Sequence, residues 1–248
     1  MGRHGEGAPS ATALIAAAGT GERLGRERPK ALVELAGRPI LGWSLRAFAA
    51  VDEVAAAVVA APPGSEEEMR GAVAPPDGLE LQVVAGGPTR SESVAAALGA
   101  LEEETDLVAI HDAARPLVTP ELISGTIEAL IAHPDATGVI AATRVTDTVK
   151  RAGEARAPGG DELTVEGTES RDRLWAAQTP QVFRTAALRE ALDADPQRLA
   201  AATDDAWLVE RQGGEVLIHP APPENLKVTT PLDLRVAELL LAERTRDR

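Results

Sequence analysis

Apolar runs of five to eight residues alternate along the chain with longer amphipathic ones. The first run, residues 13–18, predicts a strand that feeds straight into a glycine-rich loop. Residues 39–50 place Leu41, Leu45 and Phe48 on one face of a helix, with Pro39 suited to its first turn. Residues 54–60 predict a buried strand, and Ser65 with Glu68 makes a capping-box pattern that opens a short helix. A strand over 79–85 exits through Gly86-Gly87-Pro88, after which Thr89 and Glu92 cap a helix over 91–101. Residues 107–111 predict another strand, Thr119-Pro120 the start of a helix, and 138–142 a further strand. Thr203 is expected to cap a helix that closes at Gly213-Gly214. A strand over 215–219 and a helix capped by Thr230-Pro231 complete the order.

This order implies an α/β fold: a single doubly wound, mostly parallel sheet with helices on both faces. Ligands of such sheets gather at the carboxyl ends of strands. The loops over 19–25, 86–93 and 111–115 each follow a strand and are expected to meet there. Residues 143–173 break the rhythm, being polar, with strand-like pieces at 145–151 and 163–168 around a turn at 157–161. That segment reads either as a solvated hairpin or as an arm that pairs with a second subunit, as exposed strands can. A length of 248 residues suits one domain over 11–248, with the arm inserted at about 143–173. Residues 1–10 are polar and glycine-rich, and a disordered leader is expected.

Charge narrows the ligand. The formal net charge of −14 argues against non-specific binding to nucleic acid or anionic membranes, so an anionic substrate needs a local positive site. Only three of the 25 cationic side chains are lysines: Lys30, Lys150 and Lys227. With no cysteine, disulfides and thiolate metal sites are excluded, and the four histidines have no zinc spacing. Tyrosine is absent and there are two Phe and three Trp, so a nucleobase would be read by backbone and hydroxyl groups. Residues 11–19 are too short for a signal peptide, and no run reaches the ~18 apolar residues of a membrane span, so a soluble cytoplasmic protein is expected.

The loop after the first strand, within AAAGTGERLGRERPKAL (16–32), holds Gly19, Gly21 and Gly25 followed or interleaved by Arg23, Arg26, Arg28 and Lys30. Glycines let backbone N–H groups approach a ligand, and the cations favour a polyphosphate. It is neither a P-loop, since Gly25 precedes Arg26-Glu27, nor a GxGxxG fingerprint. Taken alone, it also reads as an arginine-rich surface turn. In HDAARP (111–116), Asp112 at a strand end reads equally as a turn-former or as a ligand for Mg²⁺, which takes one or two carboxylates plus phosphates. His111 reads as a packed or hydrogen-bonding residue. In NLKVT (225–229), Lys227 alternates with apolar neighbours in an apparent short strand and reads as structural or anion-binding. Thr179-Pro180-Gln181 and Thr203-Asp204-Asp205 read by themselves as caps or turns.

Taken together, AAGTGERLGRERPKALVELAGRPIL, GGPTRSESV, HDAARP, RVTDTVKR, SRDRLWAAQTPQVF, TDDA and ENLKVTTPLDL resemble the 2-C-methyl-D-erythritol 4-phosphate cytidylyltransferases over nearly all of 13–243. That family performs the CTP-dependent step of non-mevalonate isoprenoid synthesis: it transfers CMP to the acceptor and releases pyrophosphate. A related cytidylyltransferase acting on ribitol 5-phosphate or another sugar phosphate is the alternative. The resemblance implies a Rossmann-like nucleotidyltransferase fold, a divalent cation (Mg²⁺), and a homodimer joined through the arm. It gives Arg23 and Lys30 the stabilisation of the transition state. Ala17, Ala18, Gly19, Gly21, Gly87, Ser93 and Ala113 become the nucleotide cradle, and Asp112 the metal ligand. Arg115, Thr148, Arg171, Thr179, Thr203 and Lys227 become the acceptor pocket, with Thr148 and Arg171 serving the partner's site. Two positions depart from the family: Ala31, where many members carry Gln, and Pro88, where a polar residue is usual.

Overall fold

Along the first strand, β1 (Ala11–Ala16), Leu14 joins one apolar cluster while Ala13 and Ile15 join another on the opposite face. The period-two alternation of a strand thus puts a buried face on each side of one sheet. The structure, a computed structural model, describes residues 10–19, 28–101, 105–156 and 161–246. After β1 come a short ribbon of β2 (Glu34–Leu35) and β3 (Arg38–Pro39), then α1 (Ile40–Ala49), β4 (Val54–Ala61), α2 (Glu66–Ala72) and β5 (Glu80–Ala85). There follow α3 (Arg90–Gly99), β6 (Leu107–Asp112), α4 (Pro120–Ala132) and β7 (Gly138–Arg144). The arm is β8 (Lys150–Ala155) with β9 (Leu163–Thr168). The chain then returns through β10 (Trp175–Arg184), α5 (Thr185–Leu192), α6 (Pro196–Ala201), α7 (Asp205–Arg211), β11 (Val216–Pro220) and α8 (Pro231–Arg246).

Among the described residues the central sheet has seven strands in the order β11-β7-β10-β6-β1-β4-β5. All neighbours are parallel except β10, which runs antiparallel to both β6 and β7. From β1 the chain winds outward through β4 to β5, then returns to lay β6 on the other side of β1. The carboxyl ends of β1 and β6 therefore flank a topological switch point, where a doubly wound sheet opens a crevice. Leu41, Leu45 and Phe48 of α1 and Ile123 and Ile127 of α4 cover one face; Val94 and Leu98 of α3, Leu188 of α5 and Leu208 of α7 cover the other. A third cluster ties Ala237 and Leu241 of α8 to Val33, Leu35, Leu117 and Val228.

Several expectations are corrected. Ser65 forms no capping box: its ψ of 9° is not the extended conformation that aims a cap side chain at the helix, and Gly64 N–H donates to Glu66 instead, at 3.2 Å. The cap of α7 is Asp204, which accepts from Trp207 N–H at 2.9 Å, rather than Thr203. By contrast Thr89 and Glu92 form the full capping box on α3, and Thr119 and Thr230 cap α4 and α8. Lys227 lies outside any strand. Residues 179–181 are part of β10, a strand that the apolar pattern hid because Gln178, Thr179 and Gln181 are polar and buried. The arm strands stand away from the sheet, with Leu163 and Val165 exposed. No helix among the described residues is long and apolar enough to cross a membrane.

Candidate active site

The carboxyl ends of β1 and β6, the start of α3 and the 227–229 segment enclose a cavity of about 440 Å³. The loop that follows β1 contributes Ala17, Ala18 and Gly19. On the α3 side, a Cβ on Gly87 would stand 2.3 Å from Glu92 Cβ, and one on Gly86 would stand 2.9 Å from Ala18 Cβ. Only glycine lets this loop lie so close to the helix it precedes. Ser93 locks the turn: its Oγ accepts from Gly87 N–H at 3.2 Å and donates to the Thr89 carbonyl at 2.9 Å. Lys30 opens a short 3₁₀ turn anchored by the buried Ala31 and Leu32, and its N–H donates to the Gly19 carbonyl at 3.1 Å. The turn thus holds Lys30 against the glycine loop, where it lines the cavity.

Asp112 is the last residue of β6, in register with Ala16 of β1. Its Oδ1 accepts from Arg90 Nε at 2.9 Å, and its Oδ2 pairs with Lys227 Nζ at 2.7 Å. The same guanidinium donates from Nη1 to Oδ2 of the buried Asp205, at 2.6 Å. Burial by itself would raise Asp112, but Arg90 and then Lys227 outweigh it and hold the carboxyl well below the usual carboxylate range. At Asp205 burial prevails over Arg90 and the carboxyl is pushed up. Burial opposes the charge of Arg90, yet Asp205 and Asp112 together raise its pKa further above the ordinary value.

Beneath Asp112 a polar chain holds the turn. Asp112 N–H donates to Thr179 Oγ1 at 3.1 Å, Thr179 Oγ1 lies 3.0 Å from His111 Nδ1, and His111 Nε2 lies 3.2 Å from the Arg115 carbonyl. Facing a carbonyl, Nε2 carries the proton, so the Thr179 hydroxyl donates to Nδ1 of a neutral ring. Burial pushes that imidazole down to about 4, against the pull of Asp112. Asn225 Nδ2 donates to Gln178 Oε1 at 2.8 Å and to the Thr179 carbonyl at 2.9 Å, while Arg115 Nη1 donates to the Asn225 carbonyl at 2.8 Å. Val228 N–H donates to the Ala114 carbonyl at 2.8 Å. The segment carrying Lys227 is thereby tied to the end of β6.

Of the residues singled out in the sequence, Ala17, Ala18, Gly19, Lys30, Gly87, Ser93, Asp112, Ala113 and Lys227 meet around the cavity. Arg115 and Thr179 support its floor from behind. Thr203 is exposed just before α7, and Thr148 and Arg171 are exposed at the base of the arm, where Arg171 bonds the Thr146 carbonyl. Arg28 pairs with Glu68 at 3.1 Å and does not line the cavity. Gly21, Arg23, Gly25 and Arg26 fall outside the described residues. Sequence reasoning passed over Arg90 and Asp205. The one available signal was an arginine directly after the capping threonine of a glycine-led helix, hence at the mouth of the same loop. Among the described residues that line the cavity, Lys30, Arg90 and Lys227 outnumber the acidic Asp112, so a positive mouth opens in a protein of net charge −14.

A family model for 2-C-methyl-D-erythritol 4-phosphate cytidylyltransferase matches residues 11–243. The protein of that name from Synechococcus sp. (strain WH7803) is 42% identical over 231 residues, spanning 93% of this chain and 99% of that one. Its counterpart from Streptomyces coelicolor is 44% identical over 235 residues, 94% of this chain and 85% of that one. The crystal structure of the enzyme from Thermus thermophilus superposes with a TM-score of 0.71 at 34% identity, covering 93% of this chain and 98% of the other.

Proposed function

We propose that this chain, which belongs to the 2-C-methyl-D-erythritol 4-phosphate cytidylyltransferase family, transfers CMP from CTP to 2-C-methyl-D-erythritol 4-phosphate. The products are 4-diphosphocytidyl-2-C-methyl-D-erythritol and pyrophosphate, on the non-mevalonate route to isoprenoids. The observation that carries the reading is the convergence of Lys30, Arg90 and Lys227 on one glycine-walled cavity at the switch point of the sheet.

The acceptor is a phosphate monoester with a second pKa near 6, so at neutral pH it is largely a dianion and needs no general base. One of its oxygens attacks the α-phosphorus of CTP. The new P–O bond forms as the bond from the α-phosphorus to the bridging oxygen breaks, and that electron pair leaves with pyrophosphate. The difficulty is to bring two anions together and to stabilise charge gathering at the α-phosphorus. Fixed cations answer both needs. Lys30, with Arg23, serves the triphosphate and the reacting phosphorus. The loops holding Ala17, Ala18, Gly19, Gly21, Gly87, Ser93 and Ala113 cradle the nucleotide. Lys227, Arg115, Thr179 and Thr203 serve the acceptor, joined by Thr148 and Arg171 from the arm of a second copy.

Among the described residues no three acidic or histidine side chains form a metal cage. A carboxylate lining the cavity fits a hard divalent cation such as Mg²⁺, which takes one or two protein carboxylates together with phosphates. Asp112 would hold it, and the ion would supply further neutralisation of phosphate charge. The arm, with Leu163 and Val165 exposed on β9, supports a homodimer of one-domain subunits (11–248), and we place the enzyme in the cytoplasm.

The direct test is pyrophosphate release from each of CTP, ATP, GTP and UTP against methylerythritol and ribitol phosphates. Release is expected with CTP and the methylerythritol ester. Release with the ribitol ester in its place would overturn the reading. Gly87→Ala is expected to raise the CTP dissociation constant about tenfold, because the added methyl must displace the backbone of the cap; overpacking of this kind costs about 1–3 kcal/mol. Isothermal calorimetry reads it, and wild-type affinity would detach this loop from the nucleotide.

A further inference from the structure

We propose that Arg90 and Asp205 form a positioning pair for the reaction: Asp205 holds the Arg90 guanidinium, and Arg90 in turn fixes one oxygen of Asp112, leaving the other to exchange. This rests on the reading of Asp112 as the carboxylate that serves the reacting phosphates. Arg90 is the first residue of α3, so the capping box sets its backbone. Its guanidinium then spans two carboxylates from different elements, Asp112 at the end of β6 and Asp205 in the first turn of α7.

Asp205 is an unusual residue to keep for stability. Its side chain has 0% exposure, and among the described residues its Oδ1 has no hydrogen-bond partner. An unmet buried acceptor is costly, and buried ion networks can often be replaced by apolar groups without loss. What the arrangement supplies is direction. The planar fork of an arginine, anchored at one tine, fixes the angle at which the other meets Asp112. Lys227 makes the opposite kind of contact on Oδ2: a single ammonium on a flexible stem, 41% exposed. Of the two oxygens of Asp112, then, Oδ1 is held and Oδ2 is exchangeable. Asp205 also lies two residues beyond Thr203, so the same guanidinium ties the loop on the acceptor side to the nucleotide loop.

The test compares Asp205→Asn, Arg90→Lys, the double variant and Asp112→Asn by steady-state kinetics, CTP calorimetry and thermal melting. Asp205→Asn and Arg90→Lys are each expected to lower kcat by roughly 10–100-fold, the usual cost of removing a group that orients a reacting ligand. Binding of CTP without acceptor should stay within about threefold of wild type, which a general loss of structure would not allow. Arg90→Lys keeps the charge and loses the fork, so it separates orientation from electrostatics. Because Asp205 acts through Arg90, the double variant should be no slower than Arg90→Lys alone. Wild-type kcat in Asp205→Asn, or losses that multiply in the double variant, would overturn the proposal. Should Asp205→Asn not fold, wild-type kcat in Arg90→Lys overturns it equally. Wild-type kcat in Asp112→Asn would overturn the reading of Asp112 and with it a pair that acts through that carboxylate, whereas wild-type kcat in Asp205→Asn beside a loss in Asp112→Asn overturns the pair alone.

Discussion

Lys30→Ala is expected to lower turnover by about 10²–10³ while leaving the fold intact, the loss typical of one well-placed transition-state donor. The structural side of the expectation comes from the 3₁₀ turn. Its hold on the protein lies in the buried Ala31 and Leu32 and in the Lys30 N–H bond to Gly19, all of which survive truncation of the side chain. What is lost is an ammonium lining the cavity that we propose gathers phosphate charge. Turnover at saturating CTP and acceptor, measured beside a melting curve, gives the answer. An active variant, or one that fails to fold, contradicts the assignment of Lys30 to the reacting phosphorus.

Phe183→Ala is expected to be the most damaging of the simple core truncations, costing about 3–5 kcal/mol of the ~5–15 kcal/mol that holds a typical domain together. Phe183 is wholly buried on β10, between β6 and β7, and its ring fills the space over Gly138. A Cβ on Gly138 would sit 2.3 Å from that ring, so the two positions are fitted to each other. Calorimetry should show a melting temperature lower by on the order of 10 °C. Adding Gly138→Ala, which by itself clashes with the ring, should do no further harm in the Phe183→Ala background. A melting point within a degree or two of wild type would mean the sheet closes over the cavity without cost.

β10 also shows where reading the chain fails. Its outer half, Val182 and Phe183, is apolar, but Gln178, Thr179 and Gln181 look like the contents of a turn. They are buried because their partners arrive from far along the chain: Asn225 for Gln178, Asp112 and His111 for Thr179, Asp204 and Ala206 for Gln181. Arg90 and Asp205 escaped notice for the same reason. One was an arginine among 22 and the other the second acid of a cap, until folding set them 2.6 Å apart. Arg28 fails in the opposite sense. Its place beside the glycine loop suggested phosphate, and the folded chain spends it on Glu68.

Local chemistry was enough to announce β1, β4 and β6, the capping box on α3, and the glycine loops with their rare lysines, because each signal lies within a few neighbouring residues. Those features already define a wound sheet with a phosphate-seeking mouth at its switch point. Tertiary structure alone decided that a polar antiparallel strand would run through the middle of the sheet, and which cations would share Asp112. Burying a polar or charged group is tolerable only once its partner is in place. For these residues that partner lies 22 to 115 positions away, beyond the reach of any local pattern.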